Sequence, residues 1–339
     1  MSIEHGGALD RAIAVHGGKR SEWLDLSTGI NPVPFPLPDF GPEVWARLPD
    51  EGLHRAAIDG ARQFYRLPER AGVVAAPGTQ SLIQVLPQLR AAGEVAIVSP
   101  TYAEHAVSFA RCGWRVREIA DLADLPDNAT AAVLVNPNNP DGRIAEPAAI
   151  IAAHERLRAR GGMLIVDEAF ADMTPEASAA EYAAGAGLVL LKSFGKFFGL
   201  AGLRLGFAVA HREDAAWLEE RLGPWATSGP ALAIAAHAFA DHDGIRRMRE
   251  RLRHQRELLA SALRAAELRE IGGTTLFALT EHKAAGLIHE TLCRHAVLVR
   301  RFDYAPTWLR FGLPSGEAEA IRLEEALLSA LDEVSVSRS

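Results

Sequence analysis

Between residues 41 and 224, short continuous apolar runs alternate with longer stretches in which apolar positions recur every three or four residues. The runs at 95–98, 131–135, 163–166, 188–191 and 205–209 lack the polar alternation of a half-exposed strand, so they predict strands buried on both faces. The stretches at 53–66, 81–91 and 147–160 carry the helical period and predict helices around them. Strand and helix in alternation build a mainly parallel sheet between helices, an α/β domain. Past Pro224 the rhythm changes to a long polar helix at 244–266, then strands at 274–279, 297–301 and 308–313 with helices at 284–294 and 317–331. That pattern predicts a smaller α+β domain. The first forty residues are broken by glycine and proline and end in Asn31-Pro-Val-Pro-Phe-Pro-Leu-Pro38; proline fixes φ and removes the N–H that a helix or central strand needs. The predicted division is an N-terminal arm joining the small domain (1–40), a large domain (41–224) and a small domain (225–339).

Composition narrows the partners. The 339 residues carry a formal net charge of −7 and no basic block that would follow a nucleic-acid backbone or an anionic membrane surface. Nucleic acid is therefore not an expected partner, and no apolar run approaches the roughly 20 residues of a membrane span. The N-terminus has no basic flank and apolar core of a signal peptide, which predicts a cytoplasmic protein. Cys112 and Cys293, far apart and without ligand spacing, indicate neither a disulfide framework nor a metal site.

In α/β sheets ligands bind at the carboxyl ends of strands, and the residues there carry the chemistry. After the run at 188–191 comes Ser193-Phe-Gly-Lys-Phe-Phe-Gly-Leu-Ala-Gly-Leu-Arg-Leu-Gly206. Lys196 lies among apolar residues and glycines, a setting that desolvates an ammonium, lowers its pKa and makes a Schiff-base nucleophile. Ser193 and Arg204 supply a hydroxyl and a guanidinium suited to a phosphate. A buried lysine in a glycine-rich connection accounts equally well for this segment alone. Pro77-Gly78-Thr79-Gln80-Ser81 precedes a helical pattern, either as an ordinary N-cap or as a phosphate cradle of backbone amides. Tyr102 follows one strand and can cover a flat ring or simply pack. Asn136-Pro-Asn-Asn-Pro-Asp-Gly142 follows the next, with more asparagines than its turn needs. Val166-Asp167-Glu168-Ala169-Phe170 ends the third with two acids, which must be hydrogen-bonded, ion-paired or facing a cation.

In this order, each at a strand end, these segments resemble the pyridoxal-phosphate-dependent aminotransferase superfamily of fold type I over essentially the whole chain. The resemblance implies that Lys196 forms the Schiff base, Asp167 pairs with the ring nitrogen, Asn139 bonds the ring hydroxyl oxygen and Tyr102 stacks on the ring. It assigns the cofactor phosphate to Gly78, Thr79, Ser193 and Arg204. Arg310, in Trp308-Leu-Arg-Phe-Gly312, matches the arginine that grips a substrate α-carboxylate. Two positions depart from the pattern: Phe170 replaces a frequent tyrosine that touches the ring oxygen, and Leu48 replaces a frequent tyrosine that reaches the partner subunit's cofactor. In this superfamily the site is completed at a subunit interface, which implies a C2 homodimer.

Within the superfamily the chain is most similar to the branch of histidinol-phosphate aminotransferases and the threonine-phosphate decarboxylases of cobalamin biosynthesis. The opening His5-Gly-Gly7, the arm Leu26-Ser-Thr-Gly-Ile-Asn-Pro32 containing Asn31, the Asp-Glu-Ala-Phe segment and the Arg300-Arg301 pair resemble the decarboxylases. That resemblance implies decarboxylation of L-threonine O-3-phosphate to (R)-1-amino-2-propanol O-2-phosphate. A substrate carrying its own phosphate needs a second anion site, which Arg300 with His5 can form; a solvated strand edge explains the same arginines. A histidinol-phosphate type aminotransferase is the alternative. A non-enzymatic regulator on the same fold is disfavoured, since no helix-turn-helix extension accompanies it.

Overall fold

A computed structural model describes residues 6–336, which form two compact units, residues 34–139 with 143–247 and residues 6–33 with 140–142 and 248–336. Strand β1 (Leu24–Asp25) belongs to the second unit. The first unit carries β2 (Ala71–Ala76), β3 (Glu94–Val98), β4 (Arg115–Ile119), β5 (Ala129–Val135), β6 (Met163–Asp167), β7 (Leu188–Ser193) and β8 (Gly206–His211). These join in one seven-stranded sheet of order β2-β8-β7-β6-β5-β3-β4. β4, β3, β5, β6 and β7 run parallel, and β8 runs antiparallel to both its neighbours. The chain is thus α/β with a mainly parallel sheet.

β2 and β4 are absent from the apolar runs of the sequence for physical reasons. β4 is a sheet edge whose Arg-Val-Arg-Glu-Ile is mostly exposed, and β2 is Ala-Gly-Val-Val-Ala-Ala, weak in strand propensity and placed by pairing with β8. The helix predicted at 81–91 runs only from Thr79 to Val85 and tightens into a 3-10 turn at Leu86–Gln88, where Pro87 removes a donor.

Successive side chains of a strand point to opposite faces. The odd positions Met163, Ile165, Val189 and Leu191 enter a core with Leu82, Ile83 and Phe109. On the other side stands an aromatic cluster in which Phe239 meets Phe64 at 5.1 Å, Phe194 at 5.4 Å and Phe198 at 5.6 Å between ring centroids. Phe239 lies on the alanine-rich helix Gly229–Ala240, which packs so closely on helix Glu51–Phe64 that a Cβ at Gly60 would come 3.0 Å from Phe239 Cβ. This packing is why residues 225–247, assigned from sequence to the small domain, cluster with the large unit, the division falling within helix His242–Ala265.

The second unit holds a four-stranded antiparallel sheet of order β12-β13-β10-β9, from β9 (Arg269–Thr274), β10 (Phe277–Glu281), β12 (Arg300–Phe302) and β13 (Ala305–Gly312). A separate pair joins β1 to β11 (Val297–Leu298) in parallel. The single strand predicted at 274–279 is a hairpin, with the turn between Thr274 and Phe277 where polar threonines interrupt the apolar run. Among the described residues no helix is long and apolar enough to cross a membrane.

Because Phe239 fills the centre of the aromatic cluster at 2 % exposure, Phe239→Ala is expected to destabilise the large unit by about 3–5 kcal/mol. The midpoint of that unit's unfolding transition in urea measures it; a shift corresponding to less than about 1 kcal/mol would show that the cluster is not a close-packed core.

Candidate active site

The carboxyl ends of β3, β5, β6 and β7 open on a cavity of about 160 Å³ in the large unit. Gly78, Thr79, Tyr102 and Asn139 line it, and so do Asp167, Ser193, Lys196 and Arg204. The eight residues that sequence assigns to a cofactor therefore share one cavity.

At one end Gly78 adopts φ +79°, open to glycine at no steric cost, and a Cβ there would lie 2.7 Å from Arg204 Nη2. Arg204 itself sits in the left-handed region at φ 53°, and its Nη1 donates to Ala201 O at 3.2 Å. A Cβ at Gly206 would come 2.7 Å from Thr79 N. Two backbone segments, Gly78-Thr79 and Arg204–Gly206, thus converge so tightly that each carries a glycine at the contact, leaving a guanidinium above a glycine turn.

Asp167 ends β6 almost fully buried. Its Oδ2 is 2.9 Å from His105 Nε2 and its Oδ1 accepts from Ala169 N at 3.1 Å. The sequence reading misses His105. The signal was its place three residues after Tyr102, at the start of helix Glu104–Arg111, which turns it toward the same strand end. The Tyr102 hydroxyl donates to Gln80 Oε1 at 3.0 Å, and Gln80 Nε2 donates to Glu104 Oε2 at 2.9 Å. The Lys196 ammonium stands 5.6 Å from the centre of the Phe170 ring, within cation–π range; it rides on the helical turn Phe194–Phe197 that Ser193 precedes.

The asparagine-rich turn divides its labour. Asn136 donates to Ala177 O at 3.0 Å and accepts from Ala145 N at 2.9 Å; Asn138 donates to Pro100 O at 2.9 Å and accepts from Thr101 Oγ1 at 2.6 Å. Those two brace loops and leave Asn139 to line the cavity. The two acids of Asp167-Glu168 divide likewise: pleating turns Glu168 away from the cavity, where Lys192 meets it.

In the small unit Arg310 is buried, donates from Nη2 to Ser27 O at 2.9 Å and lies 5.1 Å from the centre of the Phe277 ring. Burial first, then the nearby Arg300 charge, pulls its pKa down to about 10, with Tyr304 opposing, so it stays cationic at neutral pH. Arg300 is its cross-strand partner in the β12–β13 ladder, on the same face of the sheet. Strand alternation parts Arg301 from Arg300, and Arg301 pairs with Asp303 at 3.5 Å. Arg300 also borders a cleft of about 530 Å³ within this unit, with Arg11, Ser27 and His289. Asn31 is buried, its Oδ1 accepting from Val33 N at 3.0 Å. His5 lies outside the described residues. Among the described residues no group of three or more His, Cys, Asp or Glu could hold a metal ion.

Compared with known proteins, the chain matches the family model for aminotransferase class I and II over residues 43–326. It is 47% identical to a threonine-phosphate decarboxylase from a Sinorhizobium species, covering 96% of this chain and 97% of that protein. It is 44% identical to a threonine-phosphate decarboxylase from Pseudomonas aeruginosa, with the same coverage of both. Among solved structures, histidinol-phosphate aminotransferase from Sinorhizobium meliloti in complex with pyridoxal-5'-phosphate superposes with a TM-score of 0.81 at 19% identity, covering 98% of this chain and 96% of that one.

Burial, with Glu104 and Asp167 adding and Arg204 opposing, pushes the Tyr102 phenol up to about 12 from the ordinary 10.0 of a solvated phenol. A raised folded-state value favours the neutral phenol, so its contribution to stability is complete below pH 10 and is lost as pH rises through about 12. Comparing the phenolate absorbance of the parent and Tyr102→Phe across this range should assign to Tyr102 a transition near 12. A Tyr102 transition near 10 would mean the phenol is solvated.

Proposed function

The chain belongs to the class I and II aminotransferase family, and from that membership we propose that it decarboxylates L-threonine O-3-phosphate to (R)-1-amino-2-propanol O-2-phosphate, a step of cobalamin biosynthesis, with pyridoxal phosphate as cofactor. The observation that carries the substrate is the Arg300–Arg310 cross-strand pair. Two guanidiniums directly opposite one another on a sheet present paired positive charge, which suits a substrate that carries both a carboxylate and a phosphate. Near-full-length identity of 44–47% to proteins named for this reaction supports the same reading.

The cavity residues fit the cofactor. The glycine turn at Gly78 that a Cβ would close onto Arg204, with the Thr79 and Ser193 hydroxyls, offers donors to a phosphate. One amine, one buried carboxylate and the rings of Tyr102 and Phe170 complete the set. When bound, pyridoxal phosphate supplies an electron sink for the pair released at the substrate Cα.

Lys196 Nζ is the amine that holds the cofactor and exchanges for the amine of the substrate. Asp167 holds a proton at the ring nitrogen, and His105 at 2.9 Å keeps that carboxylate oriented. Asn139 binds the ring hydroxyl oxygen without help from Phe170, which has no donor. Arg310 would take the α-carboxylate and Arg300 the substrate phosphate, each through charge-assisted hydrogen bonds from a guanidinium. The Cα–carboxylate bond breaks, carbon dioxide leaves, and Lys196 Nζ returns a proton to Cα.

The reading carries a C2 homodimer in the cytoplasm. Supporting the dimer, Leu37, Trp45, Leu48 and Trp225 of the large unit are large apolar side chains 59–68% exposed, which a second subunit could cover.

Purified, cofactor-loaded protein is expected to release carbon dioxide from L-threonine O-3-phosphate without a keto acid. Lys196→Ala should lower the rate by roughly 10²–10⁴-fold, the range of general acid–base catalysis. Arg300→Ala should raise KM about tenfold to a hundredfold, the loss of one charge-assisted hydrogen bond. Glutamate appearing from histidinol phosphate and 2-oxoglutarate, with no carbon dioxide from the first substrate, would replace decarboxylation by transamination.

A further inference from the structure

Directly behind the cavity lies a buried ion pair that none of the roles above uses. Lys192, 3 % exposed, donates from Nζ to Glu168 Oε2, and Glu168 is 0 % exposed. Ser178 Oγ donates to the same carboxylate oxygen at 2.5 Å, and Lys192 Nζ also reaches Ser178 Oγ at 3.1 Å. Ala179 N donates to Glu168 Oε1 at 2.8 Å. The Lys192 ammonium stands 4.8 Å from the centre of the Tyr65 ring, at the edge of the aromatic cluster. Both carboxylate oxygens are thus satisfied, and the cation has a carboxylate, a hydroxyl and a ring face.

Desolvating two charges is costly, and well-packed apolar side chains often serve stability as well or better. Core packing therefore does not explain an ion pair in this position, but its place along the strands does. The backbone ladder between β6 and β7 pairs Asp167 with Leu191 and ends with Glu168 N donating to Leu191 O at 2.9 Å. Beyond that bond the two chains part: one enters the loop of Phe170, the other the turn that carries Lys196. The Glu168–Lys192 pair is a side-chain rung immediately past the last backbone rung, one residue after Asp167 and one before Ser193. Pleating puts Asp167 and Ser193 on the opposite face from Glu168 and Lys192. The rung and the cavity residues therefore alternate along the same two strand ends.

We propose that Glu168 and Lys192 are positioning residues that set the separation of the β6 and β7 ends, and so hold Asp167 on one strand and Ser193 and Lys196 on the other at the spacing the cofactor requires. The inference rests on the cofactor reading given above. Neither residue touches cofactor or substrate; each acts through its neighbour in the chain.

The test uses the whole protein and compares the parent with Lys192→Met/Glu168→Gln. The double variant removes both buried charges at nearly constant volume and keeps an acceptor for Ala179 N, whereas either single change strands a buried charge. Pyridoxal phosphate affinity, the pH titration of the bound cofactor's absorbance, and the Tm of the apoprotein are measured. Expected is an apoprotein Tm equal to or above that of the parent, with Kd for the cofactor raised about 10–100-fold, the range seen when groups behind a ligand set are removed. The absorbance titration should also move, because Asp167 and Lys196 no longer keep their spacing, and Lys192→Arg, which retains the rung, should recover most of the affinity. A double variant that binds cofactor within twofold of the parent with an unmoved absorbance titration overturns the proposal. So does a loss of affinity that only follows a fall in apoprotein Tm, which would make the pair a structural brace. A parent protein that binds no pyridoxal phosphate overturns the cofactor reading itself, and the positioning role with it.

Discussion

The site depends on strands that are buried on both faces and run parallel to a common edge. Met163–Asp167 has no exposed position, so a carboxylate at its end has no bulk water to stabilise it and must be given donors. Asp167 has His105 and the Ala169 amide; Glu168, one residue later and facing the other way, has Lys192, Ser178 and the Ala179 amide. A two-residue pleat applied to two adjacent acids thus makes two separate charge arrangements, one opening on a cavity and one closed in the protein. The same burial that makes isolated charge costly is what gives the cavity's charges their strength.

The groups of the large unit are preorganised by backbone as much as by side-chain contact. Gly78, Arg204 and Gly206 approach so closely that the guanidinium sits over the glycine turn. Asn136 and Asn138 consume their hydrogen-bonding capacity holding the loop that presents Asn139. In the small unit a sheet register does the equivalent work, setting Arg300 beside Arg310. Each arrangement gathers positive charge in a fixed geometry: a guanidinium over a glycine turn, two guanidiniums side by side. Fixed donors of this kind can meet an anion with little rearrangement.

Several of these features were legible along the chain and others were not. The five apolar runs marked buried strands because side chains covered on both faces must be continuously apolar, and the polar residues after each run marked the cavity, since parallel strands deliver their carboxyl ends to one edge. Lys196, Asp167, Asn139 and Arg204 were found in this way and share a cavity of the large unit. Strands β2 and β4 were not legible, because an edge strand rich in arginine and a strand of alanines owe their conformation to the neighbours they pair with.

By itself, then, the sequence determined the α/β class, the order of the strand-end segments and the residues that line the cavity, since these follow from local periodicity and side-chain type. Tertiary structure alone decided the partners: that His105 braces Asp167, that Lys192 rather than Lys196 meets Glu168, that Arg300 and not Arg301 stands beside Arg310, and that helix Gly229–Ala240 packs with the large unit. Each of these depends on register, pleat or packing between segments distant in the chain. Such contacts are set by how buried surfaces close on one another, and no local pattern of residues encodes them.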